Sequence, residues 1–320
     1  MYNAEIKEKF IHEFSNSISR QEAAESMFKA TEKYEQELNT DICSITKDKL
    51  QKILEDIVGV RSTSYNLRIP ILKQYIKWCK KNNINDVCED IFLIEDIGID
   101  KMRRQTVANP QHLQRYLDSI FDPEEEETIG CTLRCYFWLA YMGMDEEDAF
   151  NITTSEVDLA NMVIKHNDRE YIIYRESIPA FRNCVRLKRF RYKHPNHTSI
   201  SYKDRAPGDC LLRGISANKP NTQAFRVEIS RRKKKASVIK TNSSLDLDLS
   251  FSRAWMSGIF YRMLERERAG IPADFLEIAI QFTEGRTYTL SRRQTVQDKQ
   301  RRLAKYYLND YNRWKEAYSV

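Results

Sequence analysis

The sequence predicts a mainly α-helical protein with a small β-sheet, an α+β fold. Three observations carry that expectation. Glycine is scarce, 9 in 320 residues, and 31% of the residues are charged, a balance that suits a soluble, helix-rich chain. Apolar residues recur at three- and four-residue steps, as Ala23, Met27, Ala30 and Tyr34 do, which is the period of a one-sided helix. Only short runs read as strands: one opened by Val157, then Met162-Val163-Ile164, Tyr171-Ile172-Ile173-Tyr174, and Ser237-Val238-Ile239 after the basic run 231–235.

Taken in order, residues 5–14 and 20–38 read as helices. Thr46 then stands as N-cap before a segment whose Leu50, Ile53, Leu54 and Ile57 share one face, and Gly59 ends it. Ser62-Thr63-Ser64 starts a fourth helix with Leu67, Ile71, Leu72, Tyr75, Ile76 and Trp78 on its buried side. Pro70 marks a kink or a late start there. These helices form a first block, 1–84, followed by a linker, 85–108. A second domain, 109–320, opens at Asn109-Pro110, a favourable helix start.

Within the second domain, 136–158 reads as helix, corner, helix, strand. The apolar run 129–142 stops at Gly143, and the four acids Asp145–Asp148 make the dipole-favoured first turn of the next helix. Residues 165–169 form a polar hairpin turn between the strand-like runs 162–164 and 171–174. The segment AFRNCVRLKRFRY is expected as a helix carrying five cations, and 193–224 as irregular chain. Helices are expected again over 252–268 and in the last fifty residues.

Net charge is only +6, from 52 basic and 46 acidic residues, so overall charge does not announce nucleic-acid binding. Distribution says more: acids dominate up to residue 160 and cations gather after Lys165. Seven cysteines, an odd number in apolar stretches, suit reduced thiols and a cytoplasmic location better than a disulfide frame. The first residues, MYNAEIKEKF, lack the apolar core of a signal peptide, and no run reaches the ~20 apolar residues of a membrane span. Cys131, Cys135, His194 and His197 lack C-x-x-C spacing, so neither a metal nor another cofactor is expected.

The corner at Gly143-Met144, followed by Asn151-Ile152 and Asp158, resembles the start of the catalytic domain of tyrosine recombinases, the phage integrases. The helix SYNLRIPILKQYIKWCKKNNI resembles the last helix of the core-binding domain that precedes it. The resemblance implies a core-binding domain over 1–84 and an integrase-like catalytic domain over 109–320. It also implies DNA recombination and integration of phage or mobile-element type, by way of a phosphotyrosine intermediate. Duplex DNA is the implied partner, with further copies assembling on it left open and no membrane involved.

That chemistry needs two arginines and a histidine or tryptophan around an anionic transition state, a lysine as general acid and a nucleophilic tyrosine. Lys165 occupies the hairpin position of the lysine, as an ordinary exposed turn lysine also would. Arg253 fits the second arginine, with Ser250 in place of the histidine. Asp145 stands where the first arginine belongs. Tyr288 is nearest to the nucleophile by spacing from Arg253, and Tyr306, Tyr307 and Tyr311 lie on the last helix. Residues Arg231, Arg232, Lys233, Lys234 and Lys235 form the densest basic run and are the expected phosphate contacts. The expected function is therefore an integrase-like DNA-binding protein with a degenerate catalytic site. The alternative is a helical protein–protein interaction protein with no nucleic-acid role.

Overall fold

A computed structural model describes residues 1–14, 17–58, 62–84, 86–94, 98–121, 129–193, 200–215, 217–219, 221–239, 247–283 and 295–320. The chain forms two compact units, Met1–Arg103 with Asp274–Val320, and Arg104–Ala273. The fold is mostly helical with small antiparallel sheets, as the sparse glycine and helical periodicity predict.

The first unit holds α1 (Ala4–His12), α2 (Ile18–Leu38), α3 (Lys47–Ile57) and α4 (Ser62–Lys81). Their apolar faces close over a core that includes Met27, Phe28, Leu50, Leu54, Leu72 and Tyr75. Phe28 and Tyr75 meet edge to face at 4.8 Å, and Phe10 meets Tyr75 at 5.2 Å, a geometry that aromatic quadrupoles favour. Pro70 lies inside α4, so the helix runs on past it. Beneath this core, Lys7 Nζ donates to Glu35 Oε1 at 2.5 Å and Oε2 at 2.6 Å, with both side chains fully buried. Burial pushes the Glu35 carboxyl up, and the Lys7 charge opposes that shift. Thr31 Oγ1 and the Ile42 amide also donate to this carboxylate. Stripping one partner from such a pair costs about 3–5 kcal/mol, so the pair fixes how α1 seats on α2.

The window expected as a linker is more structured than that. A short 3-10 turn covers Asp90–Leu93, and α5 spans Ile99–Gln105. Ile91 and Met102 are fully buried. Residues 274–320, expected to close the second domain, cluster with the first unit as α12 (Phe275–Thr283) and α13 (Val296–Tyr318). Arg103 Nε donates to the Ala317 carbonyl at 2.6 Å, and Phe275 packs on Tyr311.

The second unit is built around α7 (Ile129–Tyr141), whose residues from Gly130 to Tyr141 are all buried. A helix apolar on every side belongs in the middle of a core. Around it pack α6 (Pro110–Ile120), α8 (Glu146–Asn151), α9 (Ile178–Arg186) and α11 (Phe251–Arg268). One sheet is antiparallel β1 (Val157–Asp158), β2 (Val163–His166) and β3 (Arg169–Ile172). Its β2–β3 turn places Asn167 and Asp168 at φ 49° and 59°, the left-handed pair of a two-residue hairpin loop.

Two sequence expectations fail here. The segment expected as one helix through Tyr192 ends as α9 at Arg186 and continues as strand β4 (Arg189–Lys193), which pairs with β5 (Ile200–Asp204). The run 231–240, expected as basic chain leading into a strand, lies up to Ile239 in helix α10 (Thr222–Ile239). In both places a short stretch of local sequence fits two periods, and tertiary packing decides between them.

Candidate nucleic-acid interface and catalytic centre

Asp145 is the N-cap of α8, and its carboxylate accepts from the Asp148 amide at 2.9 Å. The helix's first turn adds Glu146, Glu147 and Asp148. Burial, and then the Asp145 charge, hold the Asp148 carboxyl above its ordinary range. Glu146 is engaged from two sides, by the Tyr136 hydroxyl and by Arg226 Nη2 at 2.8 Å. The corner that precedes this helix is rigid. Gly143 sits at φ +96°, Trp255 Nε1 donates to its carbonyl at 3.0 Å, and Arg262 Nη1 donates to the Tyr141 carbonyl at 2.8 Å. The position is therefore anionic and is held by capping and packing.

Lys165 lies on β2, one residue before His166 at the strand's end. It is exposed, and it pairs with Glu170 on β3 at 3.1 Å. The neighbouring His166 turns inward, with Nδ1 2.8 Å from Glu156 Oε1. Arg253 is half-buried in the first turn of α11, with Nη1 3.9 Å from Met256 Sδ. Ser250 is the N-cap of that helix and accepts from the Arg253 amide at 3.4 Å, so its hydroxyl serves the backbone. Lys165 and Arg253 thus belong to the same unit, one on the hairpin and one on α11.

The expected nucleophiles are placed differently. Tyr288 lies outside the described residues. Tyr307 and Tyr311 are buried on α13 in the first unit, 2% and 0% exposed. Both side chains are covered by the packing of that unit. Tyr306, on the same helix, is half-buried.

Of the basic run on α10, Arg231 Nη2 and Arg232 Nε both reach Glu228 Oε1 at 2.9 Å. Burial raises the Glu228 carboxyl, but its hydrogen bonds from Arg231 and Arg232 outweigh that and leave it below the ordinary range. Lys233 Nζ pairs with Asp248 at 2.6 Å and donates to the Leu249 carbonyl at 2.8 Å. Lys234 and Lys235 are exposed.

A second basic surface lies where the sequence predicts a single helix. Arg182, Arg186, Lys188, Arg189 and Arg191 are all exposed along α9 and β4. Their signal in the sequence was the alternation Arg189-Phe190-Arg191-Tyr192, which is strand-like.

Cys131 and Cys135 are buried in α7, while His194 and His197 lie outside the described residues. Among the described residues no His, Cys, Asp and Glu group is arranged to hold a metal. None of the seven cysteines is in a disulfide. Among the described residues no helix is long and apolar enough to cross a membrane.

No curated protein matches the chain. Residues 1–81 match the family model described as the N-terminal core-binding domain of MrpR, and this segment is accordingly similar to the core-binding domains of tyrosine recombinases.

Proposed function

We propose that the chain binds duplex DNA with the two-part layout of the tyrosine recombinases, a core-binding domain over 1–84 and a catalytic-like domain beginning at 109, and that it does not cut the DNA it binds. The match of residues 1–81 to a core-binding domain supports the first half of this reading. Asp145 carries the second half. Cleavage would gather negative charge on one phosphate, and the donors around it must be in place beforehand. A carboxylate at contact distance from that phosphate is repelled by about 4 kcal/mol at an effective dielectric near 20. Here Asp145 is tied into the cap of α8, and Ser250, in the histidine's place, is tied into the cap of α11. Lys165 and Arg253 are the two catalytic-type residues that remain, and Lys165 is paired with Glu170.

The test is a nicked duplex that traps any covalent protein–DNA adduct. The expected result is a salt-sensitive gel shift with no adduct. An adduct mapped to Tyr288, Tyr306, Tyr307 or Tyr311 would overturn the non-cleaving reading. Absence of any shift on duplex DNA would favour a helical protein–protein interaction role.

A further inference from the structure

Cations that bind phosphate must not be satisfied already by carboxylates of their own fold. By that measure the two basic surfaces of the second unit differ. On α10, Arg231 and Arg232 share Glu228, and Lys233 is bound to Asp248. Along α9 and β4, Arg182, Arg186, Lys188 and Arg191 form no ion pair among the described residues, and all are exposed. Arg182 and Arg186 are four residues apart on one helix and so lie on one face. Arg189 and Arg191 are two apart on a strand and so share a face of the hairpin.

The register puts Asp204 opposite Arg189 and Tyr202 opposite Arg191. The Arg189 guanidinium stacks over the exposed Tyr202 ring at 4.2 Å, an arrangement that holds the charge outward on a flat aromatic support.

The base of this hairpin is fixed from inside. Arg205, which follows β5, is only 6% exposed. Its Nη1 donates to the Cys184 carbonyl at 2.8 Å and the Leu187 carbonyl at 3.2 Å, and its Nη2 donates to the Leu211 carbonyl. It therefore ties the end of β5 to the end of α9, so that the helix and strand cations keep a constant spacing. Beside it opens a cleft of about 540 Å³ lined by Arg186, Lys188, Arg205, Gly208 and Arg213. Burial and then the Arg205 charge press on the Arg213 guanidinium, and its buried Nε has no hydrogen-bond partner among the described residues. A site of this composition suits an anion with several acceptor oxygens, such as a phosphate diester.

We propose that Arg182, Arg186, Lys188, Arg189 and Arg191, with the Arg213 cleft at their base, form the surface on which the second unit grips the phosphates of duplex DNA, ahead of the run at 231–235. A two-stranded ribbon is also an element that the major groove admits. This inference rests on the DNA-binding reading above.

The experiment uses the full chain and a labelled duplex of about 30 base pairs of mixed sequence, with anisotropy followed over a salt series. Replacing Arg186, Arg189 and Arg191 together by Ala should weaken binding uniformly and flatten the slope of log affinity against log salt by roughly three units, about one per lost phosphate contact. The same three positions changed to Lys should keep the wild-type slope, which separates charge from damage to the hairpin. Replacing Arg231 and Arg232 by Ala should move the slope less than the triple Ala variant does. If wild-type protein binds and the triple Ala variant keeps its slope, the surface assignment is overturned while DNA binding stands. If wild-type protein binds no duplex, both readings fall. Binding by the surface to poly-glutamate in place of the duplex would also overturn it, in favour of an acidic polypeptide partner.

Discussion

Asp145 is committed to the fold as the N-cap of α8, and in the proposed reading the same carboxylate is set against strand cleavage. Its carboxylate satisfies an amide that the first turn of α8 would otherwise leave without an acceptor. Loss of such a cap typically costs about 0.5–2 kcal/mol, while Asn caps about as well as Asp. Asp145→Ala is therefore expected to lower the unfolding free energy measured in urea by that amount, and Asp145→Asn to stay near wild type. Equal loss in both variants would show that the charge, and not the cap, holds the corner. A cation introduced at this position meets the same conflict. Asp145→Arg removes the cap as it adds the cation, so its stability must be measured beside its activity. The identities of Asp145 and Ser250 were legible in the sequence at once. That Asp145 caps its helix was not, because an acidic first turn predicts a helix start without naming the residue whose oxygen meets the amide.

Among elements, α7 and α11 come into close contact at Gly258. A Cβ added there would lie 1.7 Å from the Tyr141 carbonyl oxygen, so the helices touch backbone to backbone. Ser257 extends the contact inside the same unit, its hydroxyl accepting from the Val107 amide at 3.1 Å and donating to the Arg253 carbonyl at 2.7 Å. Gly258→Ala must push the helices apart, and overpacking of this kind typically costs about 1–3 kcal/mol. Urea unfolding with unchanged stability would show that the helices slide apart freely. The small residues Ala254, Ser257 and Gly258 lie at three- and four-residue steps in the sequence, a helical stripe, and Ser257 and Gly258 on it do meet neighbours. The β2–β3 hairpin was legible for a similar reason, since two apolar runs flank a short polar turn. The β4–β5 hairpin was hidden. Arg189 to Lys193 is too short for its alternation to stand out against the helical spacing of Phe181, Cys184 and Val185 just before it, and its partner strand is wholly exposed.

At the scale of the molecule, chain order and compactness disagree over the C-terminus. In the sequence Tyr307, Tyr311 and Trp314 fall at four- and three-residue steps, the spacing of a packing face, and in the structure Thr295 and Asp298 form a capping box at the start of the helix. What it packs on was not legible, because a stripe shows that a helix is covered without naming the cover. The structure places α13 in the unit that also contains α2 and α4, with Trp314 fully buried. Phe28 is likewise fully buried there, and Phe137 is fully buried in the other unit. Truncating a core Phe to Ala typically costs about 3–5 kcal/mol, and that loss is shared by the amides that open cooperatively with the site. Phe28→Ala should therefore speed hydrogen exchange in α2 and in α13 together while leaving α7 protected. Phe137→Ala should speed exchange in α7 and α11 while leaving α13 as it was. If α13 instead follows Phe137→Ala, the last helix belongs energetically with the 104–273 unit, and its burial in the first unit contributes little to holding it.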